Sequence, residues 1–216
     1  MQVKVPVSTT TQANMVYYEK ELGLDPEVSR MFVDLHRVSY LMEENDSGTP
    51  KVEKAVLQRA IHESEMAIDA LIREARYDLR IVKGVQSNSA CCVIAGYLYV
   101  YYFLRRIPAS SSLFDYMVRL LKEDIENAAN TVRQVMPKEA LFWVLFVGAS
   151  AGKELSVEPW FKKELLVSRQ ALRIATWEVA KFILKKFAWV EGWNEEIAEE
   201  LFDGLKGLEQ TPPPVL

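Results

Sequence analysis

The sequence predicts an all-α chain folded as a single domain of about eight helices. Three observations predict it. Apolar residues recur at three- and four-residue steps through most of the chain, which is the period of a helix face. Several of these periodic stretches open on a helix-start signature such as Asp25-Pro26, Thr49-Pro50 or Ser112-x-x-Asp115. The one stretch that alternates like a strand is longer than strands usually are, and its neighbours on both sides read as helices.

The elements follow in order. Asp25 suits an N-cap and Pro26 the first helical position. Val28, Met31, Phe32, Leu35, Val38, Leu41 and Met42 then form one stripe, and Glu43 to Gly48 reads as a loop. Thr49-Pro50 opens a second, long helix with a stripe of Ile61, Ile68, Leu71, Ile72, Ala75 and Leu79. It is expected to run to about Val82, with Gly84 and the polar Gln86-Ser87-Asn88-Ser89 as the following linker.

From Ala90 to Arg106 the chain is apolar nearly all round. Tyr97, Tyr99 and Tyr101 alternate with Leu98 and Val100, yet a helix that is apolar on every side is what a central core helix looks like. Ile107-Pro108 ends it. Ser112 starts the next helix, carrying Phe114, Met117, Val118, Leu121 and Ile125.

Pro137 introduces Leu141-Phe142-Trp143-Val144-Leu145-Phe146-Val147-Gly148, eight uncharged residues too costly to leave in water. Gly148 and Gly152 are expected to loosen the end of that helix. Pro159 begins a helix through Leu166 and Leu172, Thr176 caps one carrying Val179, Phe182, Ile183, Phe187 and Val190, and Asn194-Glu195-Glu196 starts the last. Residues 1–12 read as a flexible segment, 13–208 as the helical domain, and 209–216 as a tail closed to helix by its prolines.

Composition narrows the function. Of 216 residues 50% are hydrophobic and 26% charged, globular values that need no disulfide or metal to fold. The formal net charge of −4, with lysines and arginines scattered among acids, offers no basic footprint for nucleic acid. Cys91 and Cys92 are adjacent, which disfavours a disulfide, and their apolar setting makes them small buried hydrophobes. A reducing, intracellular, soluble setting is the expectation. Met1 to Asn14 has neither the pattern of a secretory signal nor that of a transit peptide, and Ala90 to Leu104 is too short to span a bilayer.

Catalytic motifs are approached and missed. Gly148-Ala-Ser-Ala-Gly152-Lys153-Glu154 has three residues between its glycines where a phosphate loop needs four, and Glu154 where it needs Ser or Thr. His62-Glu63 begins like a zinc-protease helix, but Met66 stands where the second His belongs. His36 lies beside an amphipathic stripe, and both histidines read as surface or satisfied structural residues. Glu43-Glu44 and Glu199-Glu200 read as solvated acids. No catalytic, metal-binding, cofactor-binding or DNA-binding residue is assigned, no cofactor is expected, and the chain does not read as an enzyme.

All five tryptophans, Trp143, Trp160, Trp177, Trp189 and Trp193, lie in the last third. A C-terminal aromatic core is the first reading of them, an aromatic-lined pocket or partner groove the second.

The ordered series Leu141-Phe142-Trp143 to Phe146 and Gly148, then Glu158-Pro159-Trp160-Phe161, then Trp177-Glu178, Phe182-Ile183-Leu184 and Phe187-Ala188-Trp189, resembles the fungal-specific transcription factor domain. That domain is the helical regulatory region of fungal binuclear zinc-cluster transcription factors. Tyr97 to Leu104, Arg105-Arg106-Ile107-Pro108 and Ser111-Ser112-Leu113-Phe114 are also similar to it. The resemblance is best from Cys91 to Phe202 and weaker back to Pro26. It is a packing pattern, so its residues are expected to be structural.

The resemblance implies a nuclear regulatory or effector domain of RNA polymerase II transcription. Such a domain acts by protein or small-molecule interaction rather than catalysis. The family binds DNA through an N-terminal six-cysteine, two-zinc cluster and a basic linker, and neither is in this sequence. Direct binding to nucleic acid is therefore not expected of this chain alone, which is either a fragment or a gene product without that module. Protein partners, a homodimer among them, a small-molecule effector and no membrane are the expected company. Two other readings stay open: a helical small-molecule binder or enzyme with an aromatic-lined pocket around Tyr97–Tyr102 and the late tryptophans, and a helical scaffold that pairs with itself or another protein. The final helix, in which acids mix with Phe202 and leucines, suits an activation segment as well as an ordinary amphipathic helix.

Overall fold

The computed structural model describes residues 15–46, 52–81, 87–108, 111–127, 136–192 and 195–209. Among them are eight α-helices and no strand: α1 Pro26–Asp46, α2 Lys54–Ile81, α3 Ser87–Tyr99, α4 Ser112–Asn127, α5 Lys138–Ala151, α6 Glu158–Ala171, α7 Trp177–Phe187 and α8 Glu195–Glu209. Two single π-helical turns, Tyr17–Glu21 and Val100–Leu104, complete the set. The all-α expectation holds.

Most ends follow the local chemistry. Asp25 Oδ1 accepts the Glu27 N–H at 2.8 Å, so the Asp25-Pro26 start is formed as the sequence implies. Thr176 Oγ1 accepts the Val179 N–H at 3.4 Å and caps α7. Pro159 lies in the first turn of α6, where its missing N–H costs no hydrogen bond. Glu195 and Glu196 occupy the first turn of α8, toward the positive end of the helix dipole.

Four expectations need correction. The long second helix begins at Lys54, not at Thr49-Pro50, which lie outside the described residues. Glu53 O takes up the Val56 and Leu57 N–H groups at its start, and Asn45 Oδ1 holds the Val52 N–H ahead of it. Ser87-Asn88-Ser89 form the first turn of α3 rather than a linker; short polar side chains are as much at home at a helix start as in a loop. Gly148 does not loosen α5. It sits inside the helix, and the helix closes at Gly152, whose N–H donates to Gly148 O while the Lys153 N–H donates to Ser150 O. Glu43 and Glu44 belong to α1, which continues to Asp46, rather than to a loop. Gly84, Trp193, residues 1–12 and the segment after Glu209 lie outside the described residues.

The Ala90–Arg106 stretch is helical as far as Leu104. Val100–Leu104 is a π turn, in which Arg105 N–H reaches back to Val100 O at 2.8 Å. Tyr97 and Tyr101, one turn apart, share the outer face, while Leu98, Tyr99, Val100 and Phe103 are fully buried. Arg106 then adopts a left-handed φ of 57° before Pro108, which closes the element.

Two largely buried helices organise the domain. α3 packs on α1, α2, α4 and α5; α5 packs on α3, α4, α6 and α7. Every residue from Phe142 to Ala151 is buried. α6 lies closely along α5 because Gly148 allows it: a Cβ there would stand 2.8 Å from Cδ1 of the buried Phe161 ring. No helix among the described residues is long and apolar enough to cross a membrane.

Candidate functional site

Most aromatic residues of the series from Leu141 to Trp189 converge on one core, while Phe182 is exposed. Trp143 is fully buried and donates its indole N–H to Ala188 O at 2.8 Å. Its ring lies 5.0 Å from Phe32, 5.7 Å from Tyr99 and 6.3 Å from Phe187, centroid to centroid. Phe146 stands 5.8 Å from both Trp177 and Trp189, and those two indoles meet edge to face at 5.7 Å. Phe202 of α8 closes the group against Trp177. Such pairs add about 0.5–1.5 kcal/mol each beyond the area they bury.

The remaining members sit around this core. Phe142 and Phe161 are buried, Leu141 and Trp160 are partly buried, and Pro159 is exposed. Trp160 packs edge to face on Phe161, with the Lys122 ammonium 5.7 Å above its ring. The aromatic-pocket reading of the tryptophans therefore gives way to the core reading for Trp143, Trp177 and Trp189. Phe202 is likewise a core anchor: the Arg169 guanidinium lies 4.3 Å over its ring, and Arg169 Nε donates to Ile174 O at 3.0 Å.

The other sequence features resolve as structural groups. Cys91 and Cys92 are both buried and unbridged, and burial pushes the Cys92 thiol up to about 12. His36 is half-buried on α1; burial lowers its pKa while a backbone hydrogen bond with Lys185 and the charge of Glu43 oppose that. His62 is exposed, 3.6 Å from Glu65. Among the described residues no group of three or more His, Cys, Asp and Glu is placed to hold a metal ion.

A polar cluster pins α2 to the π turn. Glu65 accepts hydrogen bonds from the Tyr101 hydroxyl and, at 2.6 Å, from Arg105 Nη2, while Arg105 Nη1 reaches Gln58 at 3.2 Å. Burial alone would raise the Glu65 carboxyl, but these donors hold it below its usual range. Burial and the Glu65 carboxylate together push the Tyr101 hydroxyl well above its usual value. All the partners are satisfied within the cluster, as in a staple.

Two of the concavities among the described residues are mainly apolar. One, of about 130 Å³, lies among α4, α5 and α6 and is floored by Ile125, Leu141 and Leu145. The other, of about 160 Å³, opens between α1 and α2. α2 lines it with Ser64, Ala67, Ile68 and Leu71, of which Ser64 and Ala67 are too short to fill it. Met31, Ile68 and Leu71 form its apolar floor; Glu27, Arg30 and Asp34 stand along one face of α1 at its mouth. Burial raises the Asp34 carboxyl, with Arg37 and Arg30 opposing and Glu63 adding to the rise. Sequence reasoning missed this cleft, because its lining is spread over two helices and no motif joins them. An apolar concavity with a few charged groups at its rim is the form a small-molecule site takes. Compared with known proteins, the chain matches no family model, no curated protein and no solved structure.

Proposed function

We propose that this chain is a regulatory domain of the kind its aromatic series resembles, a helical effector of fungal transcription that works by binding rather than by catalysis. One observation supports the reading above others. Most of the aromatic residues that carry the resemblance, from Phe142 to Trp189, assemble around a single buried core; Phe182 and Pro159 are exposed and Trp160 is partly buried. Their order along the chain is thus a packing order, the form in which a domain family keeps its likeness without reactive groups. Sequence-specific DNA contact is left to a separate module, and a nuclear site of action follows from the same reading.

Fusion of the full chain to a heterologous DNA-binding module tests it. Reporter output from the cognate promoter should differ from that of the module alone, in either direction. Output equal to the module's, from a fusion that is expressed and nuclear, rules out the regulatory reading. The α1–α2 cleft favours a second reading, a helical small-molecule binder with no part in transcription. That reading predicts ligand binding with a silent reporter.

A further inference from the structure

We propose that the cleft between α1 and α2 binds a free α-amino acid with a branched or aromatic apolar side chain. The mouth carries both signs of charge on one helix. Arg30 and Asp34 are spaced i and i+4, so their Cβ atoms lie about 5–6 Å apart on the same face. Asp34 is half-buried, and among the described residues its carboxylate has no hydrogen bond and no direct ion pair. The nearby charges of Arg37 and Arg30 offset only part of that lost water and neither bonds it directly, so the carboxylate can receive an ammonium group. Arg30 is exposed beside it and presents a fork suited to a carboxylate.

The floor sets the third requirement. Met31 and Ile68 are buried and Leu71 partly so, which leaves an apolar bed beneath the two charges. The volume of about 160 Å³ is the size of one large aliphatic or single-ring side chain. A simple amine would leave Arg30 unmatched, a simple carboxylic acid would meet the repulsion of Asp34, and glycine would leave the floor bare. The Met31 thioether packs tightly on Gly96, where a Cβ would come within 2.7 Å of Sδ, so this part of the floor is fixed from below.

The inference deepens the regulatory reading by naming its effector, and rests on that reading only for what binding does. The test uses the full chain in thermal-shift and calorimetric titrations. The probes are L-leucine, L-phenylalanine, glycine, 3-methylbutylamine and 4-methylpentanoate. At about 10 mM, L-leucine or L-phenylalanine should raise the melting midpoint by about 3 °C or more, and the other three by less than half as much. Asp34→Asn should weaken binding about tenfold or more. Ala67→Phe, at an exposed position on the rim, should abolish it while the helical circular dichroism stays unchanged. No shift with either amino acid, equal shifts with all five compounds, or undiminished binding to Asp34→Asn overturns the proposal. An amino acid that binds while the reporter fusion is silent leaves the site standing and removes the regulatory reading; a responsive reporter with no binding does the reverse.

Discussion

The ring of Phe161 occupies the space where a side chain at Gly148 would begin, with Cδ1 2.8 Å and Cζ 3.0 Å from the position of a Cβ. Phe161 is fully buried, so the ring cannot swing out to solvent. Gly148→Ala should therefore push α6 off α5 and destabilise the chain by about 1–3 kcal/mol. The double variant Gly148→Ala/Phe161→Leu should be less unstable than the sum of its single changes. Urea melts of the four proteins measure this, and strict additivity would show that the two side chains do not compete for the same space.

Trp143→Phe tests the centre of the core. The change removes the indole donor to Ala188 O and leaves a void among Phe32, Tyr99 and Phe187. A buried carbonyl without its donor costs about 1–3 kcal/mol, and the lost packing adds to that. Denaturant midpoints should fall accordingly. A loss below about 0.5 kcal/mol would mean that Trp143 is not the hub the packing indicates.

The Glu65 staple makes stability depend on pH. Its folded carboxyl lies below the unfolded value of about 4.3, so its contribution is present above that pH and is lost as pH falls through the folded value. Glu65→Gln should lower stability by about 1–2 kcal/mol at neutral pH and flatten the acid limb of the stability curve below about pH 4. Chemical denaturation from pH 3 to 7 reads both effects. An unaltered acid limb in the variant would place the titration elsewhere.

Cysteine labelling reports on opening of the domain. With burial holding the Cys92 thiol near 12 and both cysteines enclosed, neither should react with a disulfide reagent at pH 8 while the chain is folded. Both of the chain's two thiols should react at once in denaturant. Rapid native labelling would mean that α3 leaves the core easily.

The helices were legible in the sequence wherever one face was apolar and the end had an unambiguous cap, as at Asp25-Pro26 and Thr176. Legibility failed where a residue type serves two purposes. Thr49-Pro50 reads as a helix start as readily as the approach to one, and Ser87-Asn88-Ser89 reads as a loop as readily as a first turn. The π turn left no signal, and the alternation of Tyr97, Tyr99 and Tyr101 imitated a strand although Tyr97 and Tyr101 stand one helical turn apart. The cleft had no local signal at all. Its lining sets the short Ser64 and Ala67 against residues about thirty positions away, a comparison that requires knowing which helices pair. The aromatic series was visible as composition, whereas its closure by Phe202 of the final helix was not.

The edge-to-face meeting of Trp177 and Trp189 has an optical consequence. Two indoles 5.7 Å apart and steeply inclined couple their electronic transitions and share excitation, while Trp160, edge to face with Phe161 at the periphery, stands apart from that pair. The folded chain therefore carries a built-in chromophore dimer whose near-ultraviolet circular dichroism belongs to the closed core alone. Since Phe202 packs on Trp177, the signal also reports whether the last helix is docked.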